Sequence, residues 1–215
     1  QGLIHSYRPS KGHGLRHDPF NAIVGPRPIG WISTVNGQGQ RNLAPYSFFN
    51  AFNYTPPIIG FSSTSLKDTA RNIRDTGEFV WNLATRPLAE AMNASCAQVP
   101  PEVDEFDLAG LEAVPSQIVK PPRVALSPVT FECRLTQQFP LLDSNGAETP
   151  AVMTFGEVVC IHIDDSLLED GIYQTVAADP ILRGGGVGDY FTISEAARLR
   201  CCAPDKQISV LAKFA

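Results

Sequence analysis

The chain has 215 residues, 43% of them hydrophobic, which is enough for one large domain with a buried core. Its formal net charge of −5 at pH 7 argues against a nucleic-acid-binding surface, because such a surface needs a broad basic face. The sequence holds no apolar run of about 18 residues, so we predict no transmembrane helix and no membrane partner. Five cysteines without a CxxC pair favour reduced thiols and a cytoplasmic protein.

The N-terminal part of the chain predicts an arm followed by a hairpin. Glycines and prolines in residues 1–20 block regular structure, so we expect an extended arm there. Residues 29–35 have the composition of a strand, and Asn36–Gly37 is typical of a hairpin turn. A second strand, residues 43–52, should follow and bend at Pro45.

A short buried strand at 58–62 precedes the first predicted helix. Ser65, with Asp68 three residues later, resembles a capping box and predicts the N-cap at Ser65. The helix should end near Thr76, because Gly77 is a typical C-terminal stop.

The rest of the chain returns to strands after an acidic, Pro-rich segment at 98–117, which we expect to be a loop or a small helical excursion. The further predicted elements are strands at 79–84, 129–139, 151–163 (kinked near Gly156) and 207–212, helices at 87–97 and 194–200, and a hairpin at Asn145–Gly146. This order has no βαβ alternation. It predicts a mainly β fold of the α+β type, a closed or nearly closed antiparallel barrel with a few short helices.

The start of the first helix carries a candidate anion site. The hydroxyl run 62–65 leads into Lys67 and Thr69, and a cation in the first turn of a helix opposes the macrodipole. Hydroxyls, free helix N–H groups and a lysine suit a phosphate monoester. The alternative is a cluster of N-cap residues on an ordinary surface helix.

Two other segments hold candidate ligand-binding residues. Ser33–Thr34 and the segment 42–47 could hydrogen-bond the edge of a flat heterocycle, or could be ordinary polar strand ends. The glycine-rich segment 183–190 matches neither GxGxxG nor GK[ST]. We expect it to be a flexible loop that brings Arg183 and Tyr190 near a site.

Residue types that could bind metal or act in catalysis give no clear site. His13 and His17 are flanked by glycines that disfavour a helix, and His162 with Asp164 and Asp165 is more typical of a polar strand end. We therefore predict no metal site and no catalytic side chain. A phosphate pocket without catalytic machinery is typical of a protein whose bound cofactor performs the chemistry.

In combination, the stretches 13–52, 59–73, 77–83, 156–165 and 183–190 resemble the flavin reductase-like family, whose fold is the FMN-binding split barrel. The resemblance implies one split-barrel domain over residues 1–215 with Greek-key-like topology, an N-terminal arm (1–20) and a C-terminal tail (about 180–215). It also implies FMN as cofactor and a homodimer with the flavin at its interface.

The resemblance also implies site residues by position. Those that would lie against the flavin are Ser33 and Thr34, and those that would line the isoalloxazine are Asn42, Ala44, Pro45, Tyr46 and Ser47. The phosphate would be held by Ser62, Ser63, Lys67 and Thr69. From the tail, Arg183 and Tyr190 would approach the site.

The function that this resemblance implies is an FMN-dependent NAD(P)H:flavin reductase. A transiently bound nicotinamide would pass a hydride to flavin N5, and reduced flavin would serve a partner monooxygenase or another acceptor. Three alternatives stay open: a flavoprotein oxygenase with its own organic substrate, a non-enzymatic FMN-binding protein, and a barrel without a cofactor.

Overall fold

The computed structural model describes residues 2–100 and 102–201. Its helices are α1 (Phe20–Ile23), α2 (Asp68–Thr76), α3 (Ala89–Ala94) and α4 (Glu105–Leu108). Its strands are β1 (Gly30–Val35), β2 (Arg41–Tyr46), β3 (Phe49–Asn53), β4 (Ile58–Ser63), β5 (Glu78–Asn82), β6 (Ala113–Val114), β7 (Arg123–Val124), β8 (Val129–Leu142), β9 (Glu148–Ile163), β10 (Leu168–Glu169), β11 (Ile172–Tyr173), β12 (Ile181–Gly185) and β13 (Asp189–Thr192).

One antiparallel sheet of seven strands, in the order β2-β1-β5-β8-β9-β4-β3, forms the body of the protein. Its two edge strands, β2 and β3, are consecutive in the chain and joined by two residues, so the sheet has to curl to bring its edges together. The rings of Tyr46 and Phe61, from β2 and β4, lie 4.6 Å apart across this closure. The predicted mainly β split barrel with few short helices is confirmed.

Strand β1 is buried along its whole length, because hydrophobic clusters pack on both of its faces. On one face, Ile32 packs with Phe61 and Phe79 inside the barrel. On the other face, Trp31 packs with a cluster that includes Leu43 and residues of α3. Strand β1 is therefore the central partition of the molecule, and no part of it is available as a surface strand.

The helix predicted at the anion site exists, but its start was predicted wrongly. Helix α2 begins at Asp68 with Lys67 in the N-cap position, and no described side chain caps it. Ser65 is not the cap, because it lies two residues before Lys67; its carbonyl oxygen accepts from Ser63 Oγ at 2.6 Å and from the Lys67 N–H at 2.9 Å. The C-terminal stop is confirmed: Gly77 follows the helix with a left-handed φ of 74°.

Two other local predictions need correction. The single bent strand at 43–52 is two strands, β2 and β3, separated at Ser47 and Phe48. The segment 183–190 is a hairpin made by β12 and β13, with a register shift between Arg183 and Gly185.

The remaining elements follow the predictions more loosely. The predicted helix 87–97 is reduced to α3 after a 3-10 turn at Arg86–Leu88, and the predicted helix 194–200 is a 3-10 turn at Glu195–Ala197. The hairpin around Asn145–Gly146 is confirmed between β8 and β9. The predicted strand 207–212 lies outside the described residues. None of the described helices has the length and apolar character needed to cross a membrane.

Candidate functional site

A cleft of about 720 Å³ lies between strand β2, the start of helix α2 and the chain after α3. Its volume is in the range of small-molecule and cofactor sites. Six of the residues predicted from sequence line it: Asn42, Ala44, Pro45, Tyr46, Lys67 and Thr69. The structure therefore brings together the predicted ring-binding strand and the predicted phosphate-binding helix start.

Strand β2 forms the first wall and is an edge strand, so half of its backbone groups point away from β1. The Leu43 N–H points outward and donates to Glu105 Oε2 at 3.1 Å. Pro45, two residues on, faces the same way, so its missing N–H removes no hydrogen bond from the ladder. Ala44 adds only a methyl group, so the strand presents a flat surface with little side-chain volume to the cleft.

A buried hydrogen bond joins this wall to helix α2. Asn42 Nδ2 donates to Thr69 Oγ1 at 2.8 Å. Burial raises the pKa of the Tyr46 hydroxyl above its ordinary value, although polar interactions with the side chains of Thr69 and Ser63 act in the opposite direction. Tyr46 is therefore a neutral phenol in the cleft.

The start of helix α2 is the electropositive part of the cleft. Lys67 is exposed at the N-cap position, where no described side chain satisfies the first N–H groups of the helix. Asp68 is paired with Arg71 in the first turn, so its charge is largely compensated within the helix. A lysine without an ion-pair partner among the described residues, beside a helix start that no described side chain caps, is the arrangement that binds a phosphate.

The opposite wall comes from residues 95–99 and from Glu105, which sequence reasoning did not single out. Ser95 is fixed by Trp31, whose indole N–H donates to Ser95 Oγ at 3.0 Å. Glu105 lies in the short helix α4, within the segment predicted to be a loop or a small helical excursion. Burial raises the pKa of Glu105 despite the hydrogen bond from the Leu43 N–H.

Ser33 and Thr34 lie in β1, fully buried and outside the cleft. Ser33 Oγ donates to the carbonyl oxygen of Pro122, and Thr34 Oγ1 accepts from Asn72 Nδ2 at 3.0 Å. Both hydroxyls thus have protein partners in the described residues.

The other predicted serines border the cleft without lining it. The Ser47 carbonyl oxygen accepts from Arg27 Nε at 2.8 Å, and the Ser62 N–H donates to the Phe48 carbonyl oxygen at 2.9 Å. Ser63 is buried behind Tyr46. Ser47 thus lies in the connection between β2 and β3, and Ser62 and Ser63 lie at the end of β4.

Arg183 and Tyr190 lie near the rim. The Arg183 guanidinium stacks 5.2 Å from the Tyr190 ring centroid and donates to the Asp189 carbonyl oxygen at 2.9 Å, so much of it is bound within its own hairpin. Burial raises the pKa of Cys96, a cleft residue, while the positive charges of Arg183 and Lys67 act in the opposite direction. The hairpin β12–β13 thus approaches the cleft from the side of Cys96.

The residues considered for metal binding behave differently from one another. His13 and His17 form no described three-ligand cluster; His13 instead accepts from the Leu15 N–H at 3.0 Å. Asp164 accepts from the Ser166 N–H at 2.9 Å and caps a 3-10 turn. His162, however, lies with Glu132 and Cys160 in a cluster away from the cleft.

Comparison with known proteins agrees with this architecture. Residues 25–180 match the family described as the flavin reductase like domain, and the chain belongs to that family. It is similar to an uncharacterized protein of Aquifex aeolicus, with 39% identity over 155 residues that cover 70% of this chain and 76% of that protein.

Two solved structures extend the similarity to nearly the whole chain. Nitrilotriacetate monooxygenase component B from Bacillus cereus is 29% identical, with a TM-score of 0.83 over 93% of this chain and 100% of that one. A protein with a split barrel domain from Shewanella frigidimarina shares the fold at 24% identity, with a TM-score of 0.79 over 94% of this chain and 100% of that one.

Proposed function

We propose that the protein binds FMN in the cleft and acts as an NAD(P)H-dependent flavin oxidoreductase of the flavin reductase type. One observation carries the proposal: the exposed Lys67 and the uncapped start of α2 adjoin the flat wall of β2 in a single cleft. A charged phosphate site beside a flat, partly apolar wall is what a flavin mononucleotide requires. The flavin would supply the chemistry by accepting and donating hydride at N5.

The phosphate would lie at the start of helix α2. It carries nearly two negative charges near neutral pH, and the chain as a whole is acidic, so binding needs a local positive site. Lys67, the first N–H groups of α2 and the hydroxyl of Thr69 would provide it. The assignment of Ser62 and Ser63 to the phosphate stays a prediction, since Ser63 Oγ is bonded to the Ser65 carbonyl oxygen.

The ring would lie along β2, from Asn42 to Tyr46. The outward carbonyl groups of this edge strand can accept hydrogen bonds from the ring edge, and Ala44 and Pro45 leave room for a planar group. The chain's own contribution is to hold the ring in place and to exclude water with the wall at 95–99. The assignments of Ser33, Thr34, Ser47, Arg183 and Tyr190 to the flavin stay predictions.

The family resemblance supports a homodimer, in which a second chain would complete the cleft. The similarity to a monooxygenase component B supports delivery of reduced flavin to a partner monooxygenase.

We propose a cytoplasmic location on the basis of the cysteines. The described ones are free thiols: Cys96, Cys133, Cys160 and Cys201.

The test is an absorption spectrum of the purified protein reconstituted with FMN, followed by rapid mixing with NADH and with NADPH under anaerobic conditions. The proposal expects a bound-flavin spectrum and bleaching of the flavin band by at least one of the two donors. Bound flavin that neither donor reduces would overturn the reductase assignment and favour an oxygenase with its own substrate or a non-enzymatic FMN-binding protein. No flavin binding would overturn the cofactor assignment itself.

A further inference from the structure

The pairing of β8 with β9 places three potential metal ligands on one face of the sheet. Glu132 lies directly opposite Cys160, and Thr130 lies opposite His162, two pairs further along. Alternation along each strand puts Cys160 and His162 on the same side. Cys133, the neighbour of Glu132, points into the opposite, hydrophobic core.

The three ligand atoms converge on a common region. His162 Nε2 is 2.7 Å from Glu132 Oε1 and 3.6 Å from Cys160 Sγ, and all three atoms lie within 4.8 Å of one another. One ring nitrogen can donate or accept a single hydrogen bond, so it cannot satisfy both neighbours at once. A cation shared by the three atoms would satisfy all of them.

The spacing suits a tetrahedral zinc site. Zinc binds thiolate sulfur at about 2.3 Å and imidazole nitrogen at about 2.0–2.1 Å, which places the two ligand atoms about 3.5 Å apart. The Cys160–His162 distance already has this value, while the Glu132–His162 contact would lengthen by about 0.7 Å on metal binding. A thiolate and a carboxylate would also balance the two positive charges of the ion.

The surroundings of the cluster support such a site. Glu132 is fully buried, and its carboxylate accepts from the N–H groups of Gln117, Ile118 and Val119 at 2.6–3.0 Å, which fixes it as an outer hydrogen-bond shell would. Thr130 Oγ1 is the one buried side-chain oxygen or nitrogen in the described residues without a hydrogen-bond partner.

That orphan hydroxyl lies on the face of the cluster. Thr130 is 1% exposed, and it precedes Glu132 by two residues on β8 and pairs with His162 on β9. A water in the fourth position of a metal site would supply its missing partner. Access is available, because His162 also lines a surface cleft of about 590 Å³ that contains none of the residues of the proposed flavin cleft.

We propose that Glu132, Cys160 and His162 form a binding site for one divalent, thiol-preferring metal ion, with Zn²⁺ as the best match. The site ties the beginning of β8 and the end of β9 to the segment 117–119, and it is separate from the flavin cleft. No covalent or redox step is assigned to it.

The test is equilibrium dialysis of the flavin-loaded protein against Zn²⁺, followed by elemental analysis, and titration with Co²⁺ as a spectroscopic probe. We expect one zinc per chain and a thiolate-to-cobalt charge-transfer band. Cys160→Ser and His162→Gln should each weaken zinc binding by about 100-fold or more, and Cys160→Ser should remove the band. Cys201→Ser and His17→Gln, at exposed positions outside both the cluster and the flavin cleft, are controls that should leave both unchanged.

Several outcomes would overturn the proposal. These are the absence of stoichiometric zinc in the parent protein, equal zinc affinity in the parent and the cluster variants, or a charge-transfer band that survives in Cys160→Ser. Circular dichroism of each variant checks that it is folded, and any variant that fails is replaced by Cys160→Ala or His162→Asn at the same position.

Discussion

Asn42 on strand β2 donates a hydrogen bond from Nδ2 to Thr69 Oγ1 on helix α2, at 2.8 Å and in a buried position. The bond joins the two walls between which the flavin ring and its phosphate would lie. This contact holds the start of the helix against the strand. The cleft is therefore preorganised by the chain itself.

We expect Asn42→Ala to reduce the free energy of unfolding by about 1 kcal/mol, because it removes one buried hydrogen bond and leaves Thr69 with one partner fewer. It should also weaken FMN binding, since the helix start is no longer held against β2. Urea denaturation and fluorescence titration with FMN measure the two effects. Asn93→Ala, at an exposed position, is the control. Equal stability of the two variants would contradict the structural role of Asn42.

We expect the stability of the protein to depend on pH through the ionisation of Glu105. Burial raises its folded-state pKa, so its stabilising contribution is complete at low pH and is lost as the pH rises through the folded-state value. Glu105→Gln keeps an acceptor for the Leu43 N–H but cannot ionise. The variant should therefore gain stability relative to the parent as the pH is raised from about 4 to about 7.5. Denaturation midpoints measured across this range check the sign, and a constant difference would contradict it.

Inside the barrel, the packing leaves no room for a side chain at Gly156. A Cβ at this position would lie 2.3 Å from Phe79 Cε1, far inside van der Waals contact with a fully buried ring. We expect Gly156→Ala to reduce the free energy of unfolding by roughly 1–3 kcal/mol, as overpacking does. Gly37→Ala is the control, because a Cβ there meets nothing within 4 Å and its φ is not positive. Thermal denaturation of the two variants should differ clearly, and similar melting temperatures would count against the packing described.

The sequence predicted the features that depend on local chemistry. Gly77 and Asn145–Gly146 mark a helix end and a hairpin, because positive φ values are needed at these glycines. The family resemblance correctly predicted the split barrel, and Lys67 was placed at a helix start from spacing alone. The exact N-cap was predicted wrongly, since the capping-box pattern of Ser65 and Asp68 does not show that the helix begins only at Asp68, after Lys67.

What the sequence could not predict depends on distant contacts. Ser33 and Thr34 have the composition of an exposed strand end, yet Pro122 and Asn72 cover them from segments 89 and 38 residues away. Glu105 reaches Leu43 across 62 residues, from a segment without a periodic pattern. The grouping of Glu132 with His162 likewise needs the register of two long strands.

The central claim, that FMN binds with its phosphate at Lys67, is tested most directly by comparing FMN with riboflavin, which lacks the phosphate. Fluorescence titrations would give the dissociation constants of both flavins for the parent protein, Lys67→Ala and the exposed-lysine control Lys120→Ala. The account predicts that Lys67→Ala weakens FMN binding by roughly 10- to 100-fold, the loss of one charge-assisted hydrogen bond, and leaves riboflavin binding and the control unchanged. Equal FMN affinity in the parent and Lys67→Ala, or equal weakening of both flavins, would contradict it.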